Sequence, residues 1–501
     1  MMKEKRWLSI FLFFLLAMSL VGFSGCEEET QEQVQNSAFP LEIIGDVENP
    51  ITIRALDDAP EIYEIEHREE TKQVISLSEL ISMTIPRGND FEVLFKAHDG
   101  FSVLISGQNL EESYLALDQD LRWEAINFKH PRSSNIKNIK NIVILSKDLP
   151  IGGGFNITEP GENIAQLSIG RFYKDGYSVF STVRGTAMQT HDGEDYSATS
   201  YYRYQEVSLQ NYVEIPDTAS GIVFGNKGEE EPLAEDGRFI LRSNHLSYMQ
   251  GDQILIPETR GIVLNPPQKR ITHVYDDTKT LLDEGEKVLL ILVDGLGYHQ
   301  FEYARANGYV PFLDDLPEPE MAMVTYPPVT VVNVASSLTG EIPAVHGVYR
   351  RGIRRAEVPT IFSYTEEQGK SATAIIGPMT IIELEIDPVF TVRTDDEGRN
   401  DHIKTENALE RIHQGYDLFH VHLKDVDRAG HNYGDLSQKT LEEIQRTDSY
   451  IERLVAEWDG KVLIYADHGM HSTEDGGDHR HLIYEDMFMP YWLFDGGMFN
   501  D

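Results

Sequence analysis

Lys287-Val288-Leu289-Leu290-Ile291-Leu292-Val293-Asp294-Gly295 is the stretch on which the fold turns. Its apolar run shows no alternation, which fits a strand buried on both faces, the texture of a parallel sheet. Runs of the same kind recur at Ala372 to Ile376, Leu418 to Leu423 and Val462 to Tyr465. Helical stretches separate them, among them the amphipathic Thr440 to Trp458. This alternation predicts an α/β domain over residues 287–501, with a largely parallel sheet flanked by helices. Ligands of such sheets gather outside the carboxyl ends of the strands. Asp294, Asp425, Asp427 and Asp467 all stand just past predicted strand ends.

The chemistry of these positions is specific. Asp427-Arg428-Ala429-Gly430-His431 and Ala466-Asp467-His468-Gly469-Met470 each bring a carboxylate and an imidazole within a few residues. Together with Asp294 they offer the donors that a borderline divalent metal prefers, and they predict a two-metal centre. Thr330 to Gly340 follows the Pro327-Pro328 turn and reads as a helix. Thr330 then lies near a helix N-terminus, where free N–H groups favour an alkoxide or a phosphate. Read alone, it is more readily an ordinary capping threonine. Asn333, one turn on, is a candidate donor to a phosphoryl oxygen. His420 and His422 alternate along an apolar strand and are expected to be packed or hydrogen-bonded. Asp425 is expected to support the ligands and His471 to meet substrate. Arg350, Arg351, Arg354 and Arg355 form a basic loop that is either solvated or guides an anion.

Composition narrows the partners. The 501 residues carry 43 basic and 83 acidic side chains, a net charge of -40, which argues against non-specific binding to nucleic acid or to anionic lipid. An anionic substrate then needs local positive charge, which bound metal ions supply. With one cysteine, Cys26, no disulfide within the chain is possible. Lys3, Lys5 and Arg6, the apolar run Ile10 to Val21 and Phe23-Ser24-Gly25 precede that cysteine. The pattern resembles a bacterial lipoprotein signal over residues 1–25, with Cys26 as the lipidated terminus and 26–39 as a flexible tether. An uncleaved anchor and an ordinary secretory leader are the alternatives. All three place the bulk of the chain outside the cytoplasm.

Residues 40–150 and 151–275 read as two β-rich (α+β) regions, with Pro266 to Arg270 and the charged Asp276 to Glu286 as a hinge. A short helix is predicted over Ser76 to Met83 and a tight turn at Asp99-Gly100. Asp236-Gly237-Arg238-Phe239 distantly echoes Asp99-Gly100-Phe101-Ser102, which allows for a degenerate repeat. Gly45 to Pro50, His98 to Val103 and the run Ile136 to Leu145 faintly resemble the pterin-binding domain of the sulfite oxidase family. That family's cysteine ligand to molybdenum has no counterpart here.

The full set of motifs is more specific. In order, it comprises Asp294-Gly295; Thr330, Asn333, Thr339-Gly340 and His346-Gly347; Asp427 with His431; Asp467-His468-Gly469-Met470; and Gly477-Asp478-His479. It resembles the alkaline phosphatase superfamily, in its type I phosphodiesterase/nucleotide pyrophosphatase branch. The resemblance implies one zinc on Asp294, Thr330, Asp467 and His468. It implies a second on Asp427, His431 and a later histidine, His479, with His481 as the competitor. Glycine usually follows that histidine in the family; Arg480 stands here. Mixed Asp/His ligands suit manganese as well as zinc. The implied reaction is hydrolysis of phosphoric ester bonds through a phosphothreonine formed on Thr330. A phosphorylated small molecule or a cell-envelope component is the expected substrate. A phosphomonoesterase and an inactive surface-binding lipoprotein are the alternatives. The oligomeric state is not legible.

Overall fold

The computed structural model of the chain describes residues 38–499 apart from Asp217. The expected leader, Cys26 and nearly all of the tether lie outside the described residues. Among the described residues no helix is long and apolar enough to cross a membrane.

The α/β region meets the expectation. Its sheet has eight strands: β1 (Lys269–Arg270), β2 (Val288–Val293), β3 (Glu320–Met323), β4 (Ala372–Ile376), β5 (Val389–Phe390), β6 (Leu418–Leu423), β7 (Lys461–Tyr465) and β8 (Phe488–Asp495). Their spatial order is β1-β3-β8-β7-β2-β6-β4-β5. The pairings make β8 the one antiparallel member, and the other seven run in a common direction. Every residue of β2 and β6 is buried, as their unbroken apolar runs require. Strand β8 was not expected, because Pro490 interrupts its sequence and proline removes a ladder donor. The structure accommodates it, since the pairing of β8 with β7 ends at Tyr491, one residue short of the proline.

Helices α1 (Thr330–Thr339), α2 (Asp401–Leu409), α3 (Asp425–Tyr433) and α4 (Gln438–Ala456) carry or support the candidate site. Ser437 caps α4 by accepting from the Thr440 N–H, so the helix starts two residues before its apolar pattern suggests. The segment expected to be a hinge, Asp276 to Glu286, is mostly part of the helix His273–Asp283.

The two β-rich regions each form a nine-stranded sheet. Counted along the chain, both sheets have the order two-one-nine-eight-seven-four-three, and in both the fifth strand pairs with the sixth and the ninth. They are therefore two copies of one topology. The Asp-Gly echo marked the repeat but aligned the wrong turns. Asp99-Gly100 precedes the sixth strand of its sheet (Ser102–Ser106), whereas Asp236-Gly237 opens the seventh of the other (Gly237–Leu241).

The copies differ in one hairpin. Strands three and four are Tyr63–His67 and Glu70–Ser76 in the first copy, but Ser178–His191 and Glu194–Val207 in the second. The described residues divide into two compact units, one made of residues 38–43, Ile51–Thr84 and Val93–Ile142, the other of Ile44–Pro50, Ile85–Glu92 and the described residues from Val143 on. The expected boundary near residue 275 does not separate units. Phe224 and Val263 of the second β-sheet belong to the same buried core as β2, β6 and β7.

Candidate metal centre

Register assembles the site. Val293 pairs with Leu423 and Leu292 with Tyr465, so β2, β6 and β7 end side by side and release Asp294, Lys424 and Ala466-Asp467 at one edge. The Asp427 N–H donates to the Asp294 carbonyl at 3.0 Å, and the Gly295 N–H to Asp467 Oδ1 at 3.1 Å. Gly295 sits at φ +79, and a Cβ there would lie 2.8 Å from Asp427 Cα. Only glycine permits both that conformation and that approach. On α3, Asp427 and His431 share a face at i,i+4 spacing. Between them a Cβ on Gly430 would meet the Met470 sulfur at 2.2 Å, which explains the glycine of one motif and ties it to the methionine of the other.

Two ligand groups result, each with its donor atoms within 4.8 Å of one another: Asp294, Asp467 and His468, and Asp427, His431 and His479. In the first, His468 Nε2 lies 3.5 Å from Asp294 Oδ1 and 3.4 Å from Asp467 Oδ2. In the second, His431 Nε2 and His479 Nε2 lie 3.3 and 3.7 Å from Asp427 Oδ1. The groups abut, because the His468 and His479 rings stack with centroids 3.7 Å apart.

The histidine tautomers follow from their outer bonds. Nδ1 faces the Gly477 carbonyl in His431, the Gly469 carbonyl in His468 and the Pro328 carbonyl in His479, at 2.7–2.9 Å. A carbonyl only accepts, so each Nδ1 carries the proton and each Nε2 lone pair points inward, as metal binding requires. Asp427 Oδ1 and Asp467 Oδ2 are buried and make no hydrogen bond. Such oxygens are costly unless something binds them. The donor set thus fits two divalent cations.

Electrostatics agree. Burial, reinforced by the charge of Asp294, pushes the Asp467 carboxyl up to about 7. Burial also opposes the charge on Asp294, but Lys424 and a hydrogen bond from His422 hold it well below the usual range. Burial and then the neighbouring His468 keep His479 neutral.

Thr330 is the first residue of α1, with Val329 as the N-cap. Its Oγ1 lies 3.2 Å from His468 Nε2 and 3.4 Å from Asp294 Oδ1.

Residues 288–490 match the model of the type I phosphodiesterase/nucleotide pyrophosphatase family. The match covers most of the α/β region, about two fifths of the chain. No curated protein matches the chain. Among solved structures, it is similar to murine ectonucleotide pyrophosphatase/phosphodiesterase 5 in complex with AMP, at 14% identity and a TM-score of 0.32, over 38% of this chain and 58% of that one. The phosphonoacetate hydrolase of Sinorhizobium meliloti is similar at 17% identity and a TM-score of 0.32, over 37% and 56%. The chain thus spans less than two thirds of either relative.

Within the α/β region several expectations need correction. Asn333 is not free to donate to a substrate. Its Oδ1 accepts from the Thr325 N–H and hydroxyl, and its Nδ2 donates to the Thr325 and Pro327 carbonyls, all at 2.8–3.2 Å. Its hydrogen bonds hold the turn that delivers Thr330. Asp425 does not support the ligands; it accepts from the Asn400 and Asp401 N–H groups and meets Arg428. His471 is committed to Asp486 at 2.8 Å.

His481 stands outside both ligand groups, with its ring against Gly152. Arg480, where the resemblance implies glycine, holds φ +124, a conformation that glycine adopts at little cost. Its guanidinium is anchored on Asp478 and its N–H on Asp486. The basic cluster Arg350, Arg351, Arg354 and Arg355 is exposed. His346 bonds Ser336 and the Val348 N–H.

Two contributors escaped the sequence reading in whole or part. His422, expected only to pack or bond, directs Nε2 at Asp294 Oδ2 at 2.9 Å. Lys424 was not singled out. A lysine one residue past a strand end looks like any solvated charge, and its signal lay only in the register of β6 with β2.

Proposed function

We propose that the chain hydrolyses phosphoric ester bonds, with diesters or pyrophosphates preferred over monoesters. Thr330 is the nucleophile. Asp294, Asp467 and His468 hold one divalent ion, and Asp427, His431 and His479 the other, with zinc favoured and manganese the alternative. The observation that carries this reading is the Thr330 hydroxyl at 3.2–3.4 Å from two members of the first ligand group, beside the stacked second group. When bound, the ions polarise the phosphoryl oxygens and ease ionisation of the attacking hydroxyl.

The chain's own residues position the reaction. Asn333 and the His479–Pro328 bond fix the turn before α1, and the first turn of α1 offers N–H groups that favour negative charge on Oγ1. In-line attack forms the bond from Oγ1 to phosphorus and expels the alcohol or phosphate leaving group. Water then attacks the phosphothreonine from the vacated side, releasing the product and restoring the hydroxyl.

Thr330→Ala in the purified chain is expected to lower diester turnover on the order of 10³-fold or more with bound metal unchanged. Full turnover by that variant would rule the nucleophile out. A membrane-tethered, extracytoplasmic location through Cys26 is proposed on the leader sequence alone. Labelled fatty acid fed to expressing cells is expected to mark the wild-type chain and not Cys26→Ser, and an unlabelled wild type would count against the lipid anchor.

A further inference from the structure

Lys424 occupies a position that neither ligand motif explains. Its Nζ lies 3.1 Å from Asp294 Oδ2 and 3.4 Å from Asp427 Oδ2. These are the outer oxygens of the two carboxylates. Asp294 presents Oδ1 to Thr330 and His468, and Asp427 presents Oδ1 to His431 and His479. One ammonium therefore touches a ligand from each half of the centre. Among the described residues it is the one lysine or arginine within ion-pair distance of any of the three ligand carboxylates, meeting Asp294 and Asp427 but not Asp467.

The backbone that presents it is fixed from below. Both oxygens of Asp401 accept from the Lys424 N–H, at 2.9 and 2.8 Å, and the Asp425 N–H donates to Oδ2 at 2.6 Å. The fully buried Lys404 in turn ties Asp401 to the His422 carbonyl through bonds of 2.8 Å each.

We propose that Lys424 is a positioning residue shared by both metal sites, an ammonium clamp on the outer oxygens that makes Asp294 and Asp427 each present a single oxygen inward. The proposal rests on the two-metal reading above and names what couples its halves. Terminal carboxylate torsions are broad and nearly two-fold, so without an outer partner each carboxylate is free to turn. The two would also face each other as buried like charges. The lysine's own repulsion of incoming cations is the opposing effect. It is the weaker one, because Nζ faces the carboxylate oxygens turned away from those that His468, His431 and His479 approach. His422 offers an internal contrast, since its ring bonds Asp294 alone.

The test is calorimetric titration of the metal-free full chain with Zn²⁺, which requires no turnover. Wild type is expected to take two ions. Lys424→Met and the more polar Lys424→Gln are expected to weaken both ions about 10–100-fold, the usual effect of losing a group that orients a ligand. Lys424→Arg should retain both affinities. His422→Phe should weaken only one. Circular dichroism of each metal-free variant confirms folding, and the Gln variant decides if the Met variant does not fold. Unchanged or tighter affinities in the charge-removing variants, or a loss confined to one ion, would overturn the clamp while leaving the two-metal reading intact. A wild type that takes no second ion would remove both.

Discussion

The duplicated β-sheets and the α/β region preserve different things. The two nine-stranded sheets share every pairing of their topology, yet their sequences show only a misaligned Asp-Gly echo. These sheets are largely antiparallel, with a parallel pair in the second, and ask of most positions only that they fit a pleated surface, so residues change freely while the fold persists. The parallel sheet has the opposite bias. Its strands are generic apolar runs, but the residues just past β2, β6 and β7 are fixed in type because each must meet a partner from another strand. The same difference explains where length varies. The second β-sheet turned a short hairpin into strands of 14 residues, exposed along most of their length.

The contrast predicts effects of very different size. Asp467→Asn should lower turnover on the order of 10³-fold or more, because it withdraws a ligand oxygen that nothing else can replace. Glu124→Gln removes a carboxylate of comparable burial from the first β-sheet, where it pairs with Lys72 and Lys137. It should lower the melting temperature and leave kcat and KM unchanged. A loss of turnover there would break the division of roles. Asn333→Ala lies between these extremes. With Thr325 N–H and hydroxyl left without a buried partner, it should cost about 1–3 kcal/mol of stability in denaturant unfolding, with kcat falling because the Thr330 turn loosens. A fall in kcat without any loss of stability would instead restore Asn333 as a substrate donor. The smallest effect is expected from replacing residues 183–201 with an Asn-Gly turn. Stability should stay within about 0.5 kcal/mol and turnover should hold, since this segment pairs only with itself. A substantial change would show that the elongated hairpin serves the fold after all.

Much of the site was legible because short-range chemistry marked it. Asp427 and His431 lie one helical turn apart, and Asp467 and His468 are adjacent, so the donor pairs stand out in sequence. Thr330 and Asn333 looked alike in kind, as polar residues on one apolar helix. Only the turn at Thr325–Pro328 shows that one points to the ligands and the other is consumed by backbone groups. His479 and His481 are alternatives that periodicity cannot separate, for both sit on one short irregular segment. The stacked ring of His468 and the Pro328 carbonyl select the first, and Gly152 receives the second. Strand β8 stayed hidden because a proline argues against a strand until the length of its neighbour is known.

By itself the sequence determined the class of the α/β region, the kinds of donor it would offer and the place of the candidate nucleophile. Those follow from local periodicity and from residues close together along the chain. The division of ligands into two groups, the tautomer of each histidine, the repeat of the β-sheets and the role of Lys424 were decided by tertiary structure. Each depends on which strand ends lie side by side, and that register is set by packing over separations of more than a hundred residues.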